Sequence, residues 1–128
     1  MGAWGEGVLE NDAAVDWLGD LEDQPQIETI TIALSVAATG DDYLDADDGA
    51  AALVAAEIVA ATLGKTKEER LEKFAGNWPE LSDHQGLAAE AVERVGDAQR
   101  SELTDLWNED GPNPEWEAVL ADLKQRLS

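Results

Sequence analysis

A chain of 128 residues is long enough for one hydrophobic core and too short for two ordinary domains, so residues 1–128 are expected to form a single domain. Its 29 acidic and 8 basic residues give a formal net charge of -21; that field repels nucleic acid and anionic membrane, and neither is expected as a partner. The chain has no cysteine, which removes disulfides, thiolate metal sites and cysteine nucleophiles together and suits a reducing compartment.

The charge is unevenly placed. Met1 to Gly64 holds 14 acidic residues and no Lys or Arg, whereas the rest carries the other 15 acids and all 8 basic residues. A one-sign half attracts cations or a basic protein surface and steers their encounter; the rival reading is that the charge only keeps the protein soluble or suits a salty environment. Met1 to Asp12 lacks the basic and apolar regions of a signal peptide. The least charged stretch, Thr29 to Gly40, is far shorter than the ~20 residues that span a bilayer. A cytoplasmic location is therefore expected.

Along the chain, Gly2-Ala3-Trp4-Gly5-Glu6-Gly7 is too rich in glycine for a helix or strand and reads as a loop pinned by Trp4. Asn11 is an N-cap for a helix running through Leu21, with Ala14, Trp17, Leu18 and Leu21 on the buried face and Asp16 and Asp20 on the wet side. Ile27 to Ala38 fits both a strand alternation and a helical face; with no convincing strand partner elsewhere, a helix is expected. An alanine-rich helix follows from about Asp48 to Leu63, stopped by Gly64. Lys65 to Lys73 reads as a short exposed helix with a Glu69–Lys73 pair, and Asn77-Trp78-Pro79 as a turn. Helices over His84 to Val95 and Ala98 to Trp107 flank Gly96. Asn113-Pro114 starts the last helix, whose stripe is Trp116, Val119, Leu120, Leu123 and Leu127. The expected architecture is all-α, a single compact domain of about five to seven helices with a Gly/Trp-rich N-terminal loop folded over the alanine-rich helix.

Catalytic machinery is hard to find. His84 is the one histidine, beside Asp83 at a helix start, and reads as a surface residue near a cap; no serine has a nucleophile-elbow context and no phosphate loop is present. We therefore assign no catalytic residue and expect no cofactor. Asp41, Asp42, Asp45, Asp47 and Asp48 lie within eight residues and are the candidate ligands for a hard cation. In the calcium-loop register, however, placing Gly49 sixth puts Leu44 and Ala46 at the first and third positions. The run reads first as an acidic helix-capping loop.

Glu57 lies mid-helix among Ala, Ile and Val, so its carboxylate faces the interior and needs a partner. With no basic residue in the first 64, its nearest candidates are backbone N–H groups of the N-terminal loop or the Trp4 indole. A structural role is the first reading; the functional rival is a carboxylate site formed with Asp12 and Asp16. Trp78, in a turn beside proline, is the tryptophan expected at the surface, where an aromatic can anchor a partner. Trp4, Trp17, Trp107 and Trp116 are expected to be buried.

Met1-Gly2-Ala3-Trp4-Gly5 with Gly7, Asn11-Asp12, Asp16-Trp17-Leu18, Tyr43-Leu44-Asp45, Ala55-Ala56-Glu57 and Ser101-Glu102-Leu103 with Leu106-Trp107 together resemble a family of small bacterial proteins known only as a domain of unknown function. The resemblance runs nearly end to end. It implies a stand-alone, all-helical bacterial domain and a helix at Ile27 to Ala38, and it supplies no activity. The favoured function is a protein-interaction module that docks on a basic partner, in the manner of an immunity protein, with Trp4, Asp12, Asp16, Glu57 and Trp78 as binding candidates. The alternatives are a carboxylate-based cation-binding protein or enzyme, and a structural protein without a ligand.

Overall fold

The structure, a computed structural model, describes residues 3–40 and 42–128. Its described residues form seven α-helices in chain order: α1 (Asp12–Asp23), α2 (Ile27–Thr39), α3 (Ala46–Thr62), α4 (Glu72–Asn77), α5 (Gln85–Val95), α6 (Glu102–Trp107) and α7 (Pro114–Arg126). Short 3-10 turns at Glu69–Leu71 and Pro79–His84 lead into α4 and α5. No named strand occurs among the described residues, and the all-α expectation holds.

The helix ends follow local chemistry. The Asn11 side chain accepts from the Ala14 N–H at 2.8 Å, and Asn113 accepts from the Trp116 N–H at 3.0 Å with Pro114 in the first turn. Each satisfies an amide the helix leaves free. α3 starts two residues earlier than the alanine run suggests, because Asp45 supplies the cap by accepting from the Asp48 N–H at 2.8 Å. It ends at Gly64, whose φ of +73° is the left-handed conformation that glycine adopts without strain.

Every residue of α3 from Gly49 to Ala61 is buried. A helix apolar on all sides has no wet face and must be wrapped; α1, α2, α4, α5, α6 and α7 all pack against it. Leu18, Leu21, Ile30, Leu34, Leu71, Leu81, Leu123 and Leu127 are large side chains fully buried in this shell. Trp116 stacks on Trp107 with centroids 5.6 Å apart and donates its indole N–H to Thr104 at 2.9 Å, so the polar edge of a 2% exposed ring is satisfied.

Three expectations are corrected. The stretch after Gly64 is not an exposed helix, because Leu71 and Phe74 turn inward and helical structure runs instead through Glu69 to Asn77. Lys73 pairs with Glu22 of α1, as does Arg70 at 2.7 Å, so the anticipated partner Glu69 gives way to a carboxylate 51 residues away. The two tryptophans at the loops exchange places. Trp78 is half-buried and stacked on Phe74 at 5.5 Å, while Trp4 is 62% exposed.

Glu57 is 1% exposed, and its charged partner comes from the far end of the chain. Arg126 of α7 donates from Nη1 to Oε1 at 2.5 Å and from Nη2 to Oε2 at 3.1 Å, a two-pronged pair, and Thr66 adds a hydroxyl bond to Oε1 at 2.7 Å. Neither the glycine-rich loop nor Trp4 serves this carboxylate among the described residues. That loop closes on itself instead: Trp4 N–H donates to the Glu10 carbonyl at 3.0 Å, Gly7 N–H to the Glu10 carboxylate at 2.9 Å, and Glu6 accepts from Asn113 at 3.4 Å. Removing one member of a buried pair strands the other charge. Arg126→Ala is expected to cost about 3–5 kcal/mol in denaturant unfolding, whereas Glu57→Leu with Arg126→Met, which removes both charges, should recover most of that loss.

Candidate functional site

α1 and α2 both lie on α3 but barely meet one another, and the space between them is an open groove of about 730 Å³. Its floor is the first turns of α3, where Ala46, Ala50 and Ala51 are too small to fill it. Trp17 projects from α1, and Thr29, Ile32, Ala33 and Val36 form the α2 wall; Leu103 and Leu106 of α6 close one end. Ile32 is 61% exposed and Val36 43%. These two residues were on the apolar alternation of the ambiguous segment, and the helix that forms there leaves them facing out.

The rim has one sign. Asp12, Asp16 and Asp20 follow one another at four-residue spacing along α1, and Asp47 and Asp48 stand at the start of α3; all five are exposed and line the groove. No Lys or Arg lines it, and no ion pair reaches these five carboxylates among the described residues. The α3 N-terminus carries a partial positive charge that favours Asp47 and Asp48. Even so, burial first, then the neighbouring charges of Asp45 and Asp47, raise the Asp48 carboxyl above its ordinary range. Uncompensated negative charge has collected here.

The sequence-derived candidates thus separate. Asp12 and Asp16 enter the groove, and Asp47 and Asp48 join them from the acidic run, while Glu57 does not line it and is taken by Arg126. Asp45 is occupied as a cap and Asp42 is exposed outside the groove; Asp41 lies outside the described residues. No group of three or more metal-ligating side chains converges among the described residues. Trp4 and Trp78 are not in the groove either. Sequence reading missed Asp20, Ile32 and Val36 as groove residues. A signal existed in the last two, since a helix with Ile30 and Leu34 inward must turn Ile32 and Val36 outward.

A second charged cluster surrounds Glu57. Asp122 accepts from Arg126 Nε at 2.9 Å and from Lys67 at 3.1 Å, and Lys67, followed by Arg126, holds its carboxyl below the usual range. Glu22 is likewise lowered, by Arg70 and then Lys73. Glu68 goes the other way: burial, then the charges of Glu57 and Glu10, push it up, with Arg126 opposing.

A carboxyl whose folded pKa is raised costs stability once ionised and ceases to do so as the pH falls through that pKa. Glu68 is half-buried, so screening by solvent keeps the effect small. Glu68→Gln is expected to raise the thermal midpoint by about 1–3 °C at neutral pH, and the advantage should vanish in acid, where the native residue is itself protonated. Glu22 and Asp122 stabilise above the ordinary carboxylate range and lose that contribution on acidification. Millimolar calcium or magnesium is expected to shift the midpoint no more than a monovalent salt of equal ionic strength, because a native-state site would add stability by mass action.

Among the described residues no helix is long and apolar enough to cross a membrane. No curated protein and no solved structure has a significant match to the chain. Residues 2–119, nearly the whole sequence, match one family model across the capped α1, the α1–α2 groove and the Glu57 helix. The protein belongs to the family described as a domain of unknown function, DUF4259.

Proposed function

We propose that this protein is a binding module that docks a basic protein partner in the groove between α1 and α2, in the manner of an immunity protein covering a basic target. The observation that carries the reading is the lining of that groove, with an exposed apolar wall at Ile32 and Val36 bordered by five unpaired carboxylates. Apolar surface supplies affinity when it leaves water, and a one-sign rim selects the partner and speeds its arrival. The absence of cysteine suits work in the reducing cytoplasm. The carboxylate-enzyme alternative needs Glu57, Asp12 and Asp16 in one pocket, and Arg126 holds Glu57 away from it.

The test must separate a site from diffuse charge. With lysozyme as a folded basic probe, the variant Asp12→Asn, Asp16→Asn, Asp20→Asn is compared with Glu80→Gln, Glu109→Gln, Asp110→Asn, which removes the same formal charge from exposed positions outside the groove. Affinity is expected to fall by roughly tenfold in the groove variant and little in the other, and to weaken steeply toward 1 M salt, where the screening length shrinks to about 3 Å. Equal losses in both variants would leave the acidity as a general property of the surface and overturn the reading.

A further inference from the structure

We infer that the occupant of the groove is an amphipathic, basic α-helix of the partner protein; the inference rests on the docking reading above and specifies its partner. Thr29, Ile32, Ala33 and Val36 sit at helical spacing and give an apolar wall about 10 Å long at ~1.5 Å per residue. Asp12, Asp16 and Asp20 give an acidic wall of about 12 Å by the same rise. The two stripes run along neighbouring helices, so an occupant must present an apolar stripe and a cationic stripe side by side over about two turns.

Backbone hydrogen bonding decides between a helix and an extended strand. Both walls are α-helical, so apart from the first turn of α1 at Asp12 their N–H and C=O groups are bonded within the helix. An extended segment laid there would bury main-chain donors and acceptors with nothing to meet them. A helix brings its own bonds satisfied and offers only side chains to the groove. It would cover the first turn of α3, where Ala46, Asp47 and Asp48 are not buried. Charge complementarity fixes the sign of this helix: a second copy of the chain, at a formal charge of -21 and with the same acidic rim, is repelled. Lys or Arg at four-residue spacing faces Asp12, Asp16 and Asp20, and Leu, Ile or Met at i, i+3/i+4 and i+7 covers Ile32 and Val36.

Three synthetic peptides of roughly 18 residues, long enough to form a helix on binding, test this by calorimetry and by amide chemical-shift mapping on the full chain. One carries adjacent Leu and Lys stripes at helical spacing, the second carries the same residues scrambled so that the stripes are lost, and the third is the first with a central proline. The striped peptide is expected to bind on the order of tenfold tighter than the other two at equal charge, to shift amides of α1 and α2, and to lose that advantage with Ile32→Glu, an exposed position that does not threaten the fold. Equal affinity of all three peptides, with shifts still at α1 and α2, would overturn the helical occupant and leave acidic docking intact. Binding that ignores Ile32→Glu and maps elsewhere would overturn both. Failure of the striped peptide to bind would overturn the helical occupant, while the lysozyme comparison decides the docking reading by itself.

Discussion

The rest of the structure depends on α3 having no wet face. Thirteen consecutive buried residues, most of them alanine, make a helix that small side chains allow others to approach closely on every side. Its own hydrophobic surface per residue is modest, so stability must come from the larger Leu, Ile, Phe and Trp side chains that the surrounding helices bring to it. Wrapping one central helix with six others explains why the chain is built from short elements joined by capped turns. It also explains why Glu57, placed in the middle of that helix, must draw a cation inward from α7.

The Glu57–Arg126 pair ties the centre of the fold to its last helix. A buried ion pair is weak evidence for net stability, since removing two charges from water offsets much of their attraction. What it does provide is discrimination: with the Lys65 carbonyl as a further partner, Arg126 satisfies its donors in one docking of α7 on α3, and a shifted α7 would leave the Glu57 carboxylate with only the Thr66 hydroxyl. Asp122, four residues earlier on α7, holds the guanidinium from the other side.

Much of this fold was legible in the sequence where local chemistry decides. Asn11, Gly64 and Asn113-Pro114 mark helix ends because caps act over three or four residues, and the α7 stripe follows from periodicity alone. Lys65 to Lys73 misleads as an exposed helix because the helical pieces there are short, and the inward residues Leu71, Phe74 and Leu81 are divided among three of them rather than carried on one helix. Glu57 was rightly placed inside, but its partner lies 69 residues away, beyond anything that spacing reveals. Trp78 was misplaced for a nearer reason, since its partner Phe74 lies four residues earlier, one turn back on α4, and once a helix forms there the two rings stack. The groove was half legible. Asp12 and Asp16 were visible as carboxylates on the wet side of α1, whereas the apolar wall opposite them exists only because α1 and α2 diverge over α3.

The distribution of basic residues completes the electrostatic account. In sequence, the charges of the first half are all acidic; in space, the second half returns cations to its carboxylates at two places, Arg70 and Lys73 at Glu22 and Arg126 at Glu57. Both lie where α1 and α3 meet the later part of the chain, and Lys67 and Lys124 are likewise used within the second half, on Asp122 and Glu93. Five of the eight basic side chains are thereby spent on contacts that hold elements together. The ion pairs stop short of the α1–α2 groove, where among the described residues none reaches the five carboxylates that stand beside apolar side chains left in water. Solubility alone would require the charge and would not require the apolar wall beside it. The two together, on a surface that the fold has not covered, are what a complementary amphipathic partner would find.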